Sequence, residues 1–346
     1  MQAFPNLLGQ SKAVELLLQA IALNRITPAY LFCGSSGIGR TIAAKNFTQL
    51  LLTNGLSPAK QHLASRKLET GNHPDLLWVE PTFLKGAELY TIAQAAEQGL
   101  QYKTPPKIRI EQIRQITQFL NRPVLEATRQ VVIIEDAQTM AEAPANALLK
   151  TLEEPGKATL ILIAPDTDSL LTTLVSRCQR IQFNRLCSQD LSTILKANNY
   201  AAILEHPELM AIAQGSPGQA IAAWSQLQLI PDELLQQLKR LRSARREASA
   251  KAHCTLVVYR SAYPLGYPEG SPQTPLAAFN LAQAITTQLD SSAQLWLVDY
   301  LQAYYWQQNQ QLELMKTWEK TRQYLLSYVQ PRLVWECALL NLISNF

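Results

Sequence analysis

Residues 29–41 read Ala29-Tyr30-Leu31-Phe32-Cys33-Gly34-Ser35-Ser36-Gly37-Ile38-Gly39-Arg40-Thr41. An apolar strand pattern ends in a glycine-rich turn, and a helical pattern opens from about Thr41. The turn fits G-x-x-x-x-G-K-[ST], except that Arg40 stands where the pattern has lysine. Glycines in such a turn let backbone N–H groups approach an anion closely, and the helix that follows adds the positive end of its dipole. Lysine at the variant position acts as a compact point charge. Arginine is planar and bulkier and prefers a bidentate partner, so it does not substitute cleanly. The frame predicts a strand–loop–helix cradle for phosphate, and the substitution argues against efficient phosphoryl transfer. Whether the loop holds a nucleotide stays open at this point.

On either side of the cradle, residues 1–184 alternate short apolar runs with helical patterns, the signature of a parallel sheet flanked by helices. Ser11 to Leu23 reads as an amphipathic helix, Leu76 to Val79 as a strand, and Ile110, Ile113, Ile116 and Leu120 as one helix face. Val131-Val132-Ile133-Ile134 and Leu160-Ile161-Leu162-Ile163 suit strands buried on both faces. A short last strand is expected at Ile181 to Phe183. Beyond Arg185 the pattern becomes short helices broken at His206-Pro207 and Gly215-Ser216-Pro217-Gly218, and from Pro231 it is almost wholly helical. Pro264 to Pro275 holds four prolines and two glycines and reads as a loop or insertion, preceded by a strand-like Thr255 to Tyr259.

The strand at Val131 ends in Glu135-Asp136. In P-loop ATPases an Asp there supports Mg²⁺, and a following Glu orients water in some of them. Here the order is inverted, and a displacement of about 1 Å can cost around a hundredfold in rate. The pair therefore reads as a Walker B strand end in ancestry and as solvated acids in present chemistry.

Bulk properties narrow the field. At 346 residues the chain suits two or three domains, and 47% hydrophobic against 17% charged residues argues for folded cores. No apolar run reaches bilayer length, and Met1 to Leu8 has no secretory pattern, so a cytoplasmic protein is expected. The five cysteines, Cys33, Cys178, Cys187, Cys254 and Cys337, are scattered without C-x-x-C spacing, which points away from disulfides and zinc. A net charge of +4 permits nucleic-acid contact without demanding it.

Several segments together carry a resemblance. Ala145-Asn146-Ala147-Leu148-Leu149-Lys150-Thr151-Leu152-Glu153-Glu154-Pro155 looks like the helix after Walker B in the bacterial clamp-loader AAA+ family, and Ser176-Arg177-Cys178 resembles its S-R-C motif. Gly9-Gln10, Ala29 to Phe32, His73-Pro74-Asp75 and Gln330 to Glu336 also fit. The likeness is tight over residues 4–184, looser in the next segment and patchy near the C-terminus. It implies an α/β AAA+ P-loop domain at 1–184, a helical lid at 185–229 and a helical oligomerisation collar at 230–346 with an irregular insertion near 253–275.

The resemblance also implies a function. Arg177 would act as an arginine finger on a neighbour's ATP, with Ser176 and Cys178 positioning it. An arginine in that role is worth ~10³–10⁵ in rate. Gly34, Ser35, Ser36, Gly37, Ile38, Gly39, Arg40 and Thr41 would form a degenerate phosphate loop, with Glu135 and Asp136 as its altered Walker B. The sensor 1 position falls near Ala164-Pro165, which offers no side-chain donor, and Gln219 replaces the sensor 2 arginine. Four altered elements favour the stator type of subunit over the ATP-hydrolysing motor type, with ATP and Mg²⁺ held weakly or not at all. The four-cysteine zinc knob of many members is missing between Thr53 and His73, so no zinc is expected. Implied partners are motor subunits (gamma/tau), a delta subunit and, through the complex, the sliding clamp and primer–template DNA. The rival readings are an active motor ATPase and a plain interaction module.

Two clusters remain. Lys239, Arg240, Arg242, Arg245 and Arg246 spread around a helix and read as a solvated face, with DNA or a subunit as the functional alternative. Trp296, Tyr300, Tyr304, Tyr305 and Trp306 read as collar packing or subunit contact.

Overall fold

The computed structural model describes residues 4–86, 88–100, 104–153, 156–241, 275–309, 312–327 and 329–344. It forms two compact units, residues 1–197 with 215–218, and residues 198–214 with 219–346.

The first unit is built on a parallel five-stranded sheet. Its strands are β1 (Ala29–Cys33), β2 (Leu76–Val79), β5 (Gln130–Ile134), β6 (Ala158–Ala164) and β7 (Gln179–Gln182), in the order β2-β5-β6-β1-β7. The three central strands are buried throughout, as their apolar runs require when helices cover both faces. Side chains alternate between the faces. Leu31, Val132, Ile134, Leu160 and Leu162 pack with Ile113 and Ile116 of α5 (Ile110–Leu120) and Leu148 of α6 (Glu142–Glu153). Tyr30, Phe32, Val131, Ile133, Ile161 and Ile163 pack with Leu17 of α1 (Ser11–Ala22) and Phe47 of α2 (Arg40–Thr53). Phe47 meets Tyr30 edge-on at 5.1 Å between centroids, and truncating such a core aromatic costs about 3–5 kcal/mol.

Two pieces of this unit escape the sequence reading. An antiparallel hairpin, β3 (Thr82–Lys85) with β4 (Glu88–Thr91), follows β2 and leads into α4 (Ile92–Glu97). Helix α3 (Pro58–Glu69) fills the interval where relatives were expected to carry a zinc knob; His62 is exposed there, while His73 is buried.

The motif His73-Pro74-Asp75 has a structural task. The buried Asp75 carboxylate accepts the backbone N–H groups of Leu125, Glu126 and Ala127, each at 2.8 Å. That ties the loop after α5 to the start of β2. His73 Nδ1 accepts the Asp75 N–H at 3.2 Å.

Helices α7 (Thr172–Val175) and α8 (Ser188–Ala197) complete the first unit. In the second, α9 (Pro207–Ala213), α10 (Pro217–Gln228, whose first residues belong to the first unit), α11 (residues 232–241), α12 (Pro275–Gln288), α13 (Ser291–Asn309), α14 (Leu312–Leu326) and α15 (Pro331–Ser344) follow. Its core is aromatic. Tyr305 stacks on Trp318 at 5.9 Å, Trp318 meets Trp335 at 6.4 Å, and the Tyr305 hydroxyl donates to the Leu238 carbonyl at 2.7 Å. Tyr300 and Tyr305 are thus core residues, whereas Trp306 is exposed.

Lys239 departs from the solvated reading. Its Nζ lies 5.3 and 5.1 Å from the ring centroids of Tyr300 and Tyr304, and 4.0 Å from Glu208. Leu241 ends the described part of α11. Arg242, Arg245, Arg246, the strand-like Thr255 to Tyr259 and the insertion up to residue 274 lie outside the described residues.

Candidate functional site

The glycine-rich turn sits between β1 and α2, as the motif requires. Its start is fixed to β6, because the Gly34 N–H donates to the Pro165 carbonyl at 3.0 Å. Its end is Gly39, which caps α2 at φ 103°, a conformation only glycine adopts without strain. Gln10, just before α1, braces the turn from below. Its side chain exchanges two hydrogen bonds with the Asn184 backbone, at 2.7 and 3.0 Å, and reaches the Ile38 carbonyl at 3.4 Å.

The turn is also tied from its other side. Ser216 Oγ donates to the Ser36 carbonyl at 2.7 Å, and the Gly218 N–H donates to the Gly37 carbonyl at 3.0 Å. The approach is so close that a Cβ on residue 218 would lie 2.6 Å from Gly37 Cα. This explains why a glycine stands second in α10, just before Gln219.

Arg40 begins α2 and is buried, with its Nη1 unpaired among the described residues. Burial lowers its pKa below the ordinary arginine value, opposed by the charges of Asp136, Cys33 and Glu135. The neighbouring Thr41 points at the acidic strand end, where its Oγ1 donates to Glu135 Oε1 at 2.8 Å. The other Glu135 oxygen accepts the indole N–H of Trp78 at 3.1 Å. Lys45 Nζ stands 5.3 Å from the centre of that indole. Asp136 takes a left-handed conformation at φ 47° and accepts from Gln138 Nε2 at 3.1 Å. Burial pushes the Glu80 carboxyl above its usual range, and Glu135 adds to the shift.

These contacts test the fit of a magnesium nucleotide. The start of α2 and the unpaired Nη1 of Arg40 suit an anion. The hydroxyl and carboxylate that a magnesium ion would need are engaged with each other and with Trp78. Ala164 and Pro165, at the end of β6, supply no side-chain donor. The lysine of the pattern and a polar side chain at the end of β6 are thus missing around a turn that still suits an anion. Among the described residues, no group of three or more His, Cys, Asp or Glu is gathered to hold a metal.

Arg177 lies two residues past α7. It is exposed, with Nη2 at 2.9 Å from Glu153 Oε1 and Nη1 donating to the Thr173 carbonyl at 3.1 Å. Ser176 Oγ donates to the same carbonyl at 3.0 Å. Cys178 tucks against the sheet core, and burial pushes its thiol pKa up to about 12, so it serves as an apolar anchor rather than a nucleophile. The structure thus gathers two separate groups. Residues 34–41 stand with Glu135 and Asp136, and residues 176–178 stand with Glu153.

Comparison with known proteins decides the family. A family model described as DNA polymerase III, delta subunit, matches residues 9–187, more than half of the chain. The chain belongs to the DNA polymerase III delta subunit family. A second model, described as the cyanobacterial DNA polymerase III delta prime C-terminal domain, matches residues 189–254 and 267–342.

Among relatives of this DNA polymerase III family member, DNA polymerase III subunit delta' of Bacillus subtilis is 32% identical over 197 residues, covering 53% of this chain and 53% of the relative. The delta' subunit of Pseudomonas aeruginosa is 32% identical over 200 residues, covering 55% and 53%. The tau subunit of Bacillus subtilis is 27% identical over 192 residues, covering 54% and 30%. The chain spans about half the length of the curated delta' relatives it matches. A crystal structure of a gamma subunit-related protein from Thermotoga maritima is 18% identical, with 94% of this chain and 98% of that chain covered at a TM-score of 0.49.

The sequence reading passed over three participants in this family member's site. Trp78 lies on β2 opposite Ile133, which puts its indole beside the acid that ends β5. Gly218 was read as a helix breaker, and its contact with Gly37 is visible only in three dimensions. Glu153 was read as part of a family helix, without its bond to Arg177.

Proposed function

We propose that this chain is a delta-prime-type stator of a bacterial clamp loader, supplying Arg177 in trans to ATP bound by a neighbouring motor subunit. In this reading its partners are gamma/tau motor subunits and a delta subunit, with the sliding clamp and primer–template DNA met through the complex, in the cytoplasm. The α/β domain 1–184, lid 185–229 and collar 230–346 belong to the same proposal, as do Ser176 and Cys178 as the residues that set the arginine. ATP is held weakly or not at all by residues 34–41 with Glu135 and Asp136, and this chain does not hydrolyse it.

The observation that carries the reading is the position of Arg177. The side chain is exposed and, among the described residues, pairs with Glu153, whose side chain is exposed too. Such exposed pairs contribute about 0–1 kcal/mol, so the guanidinium is available to a stronger anion. The membership of the family and the engagement of Glu135 by Thr41 and Trp78 support the division of labour between this chain and an active neighbour.

The test is an Arg177→Ala chain assembled with gamma/tau and delta subunits. Clamp loading and DNA-stimulated ATP turnover at the adjoining site are expected to fall by about 10³-fold or more. Unchanged turnover and loading would refute the role. The motor reading draws support from the intact backbone frame of residues 34–41 and from the match to a tau subunit. It predicts that the purified chain alone turns over ATP and loses this on Arg40→Ala.

A further inference from the structure

Glu153 ends α6, and its placement is not explained by packing. The helix buries Ala145, Leu148 and Leu152, while the Glu153 carboxylate faces solvent. A carboxylate in the last turn of a helix also opposes the negative end of the helix dipole. What it does contact is Arg177, through one bond of 2.9 Å, while the Thr173 carbonyl holds the other arm of the same guanidinium at 3.1 Å. Two anchors from different helices thus fix a long, flexible side chain in one orientation at the surface. Arginine has five N–H donors, and these bonds use two of them.

We infer that Glu153 is a positioning residue that parks Arg177 in the unassembled chain and yields it to a neighbour's phosphate on docking. The inference rests on the trans-acting reading of Arg177. Its chemistry is a competition for one cation. An exposed carboxylate holds an arginine by less than about a fivefold preference. A triphosphate oxygen pair offers greater charge and the bidentate geometry that guanidinium prefers, so it displaces the carboxylate. The Thr173 carbonyl carries no net charge and can remain bonded while Nη2 changes partner. Glu153 therefore keeps the arginine oriented before assembly and imposes a small, charge-dependent cost on its release.

The experiment uses the full chain assembled with gamma/tau and delta subunits, with assembly checked by sizing. Glu153→Gln removes the charge and keeps a polar side chain of the same size. At low salt, kcat/KM for DNA-stimulated ATP hydrolysis is expected to rise about two- to fivefold over the unsubstituted complex. The gain should fade at about 0.5 M salt, where exposed charges are screened. Glu153→Asp, which restores the carboxylate, should return kcat/KM to the unsubstituted level. A merely structural role would lower activity and would not produce a gain that salt removes. If Arg177→Ala abolishes turnover at the adjoining site while Glu153→Gln leaves kcat/KM unchanged or lower, the parking role is wrong and the finger role stands. If Arg177→Ala changes nothing, the trans-acting reading itself falls, and the parking role with it.

Discussion

Glu135 shows how a single side chain at a strand end can tie neighbouring elements together. Each of its oxygens is engaged, one by Thr41 on α2 and one by Trp78 on β2, so the end of β5 is joined to two neighbouring elements. Trp78→Phe keeps the ring and removes the donor, leaving a half-buried carboxylate oxygen short of its partner. This should destabilise the isolated chain by about 1–2 kcal/mol and lower its melting temperature by several degrees. An unchanged melting temperature would show that the indole bond contributes nothing. The bonded partners lie 94 and 57 positions apart in the chain, which is why the motif was legible in the sequence and its engagement was not. Arg40 was legible as a departure because it breaks a fixed pattern. Its burial with an unpaired Nη1 was not, because it depends on what surrounds the loop in space.

His73 adds a pH dependence at the same scale. Burial lowers its pKa below the ordinary value of 6.5, and the opposing charge of Asp75 does not restore it. The unfolded chain then takes up a proton near that ordinary value while the folded chain still resists it. Stability is therefore fully present above about pH 6.5 and is lost as pH falls from there through the lowered folded value. Urea unfolding of the isolated chain between pH 8 and pH 5 should show this loss, and His73→Asn should flatten that part of the profile. A slope unchanged by the substitution would assign it to other groups.

At the scale of elements, the segment 215–218 is tied to the glycine-rich turn through backbone contact. Gly218→Ala would put a methyl group 2.6 Å from Gly37 Cα, so either the turn or the start of α10 must move. Hydrogen exchange should quicken at residues 34–39 and 215–219 in that variant, and protection equal to the parent would contradict the tie. Elements buried on both faces were easiest to read from the sequence. β5 and β6 are apolar runs with no polar alternation to mislead, and their strands fall where expected. The hairpin of β3 and β4 was missed because its strands have four residues each and bury only Thr82 fully, so they carry little hydrophobic pattern. Helix α3 was missed for a related reason: it is polar and buries only Ala64. Lys239 departs from its solvated reading because Tyr300 and Tyr304, distant in the chain and not on its own helix, decide its surroundings.

For the whole molecule, the chemistry divides into a phosphate loop closed on its own residues and an arginine exposed at the end of α7. Neither feature alone separates a stator from a motor subunit, and the proposed division of labour rests on the two taken together. The most direct measurement is single-turnover ATP hydrolysis in the assembled loader, comparing complexes that carry the parent chain, Arg177→Ala and Arg40→Ala. The account predicts that Arg177→Ala removes one fast-hydrolysing site and that Arg40→Ala leaves every site turning over. Loss of a site on Arg40→Ala, with Arg177→Ala behaving like the parent, would contradict it.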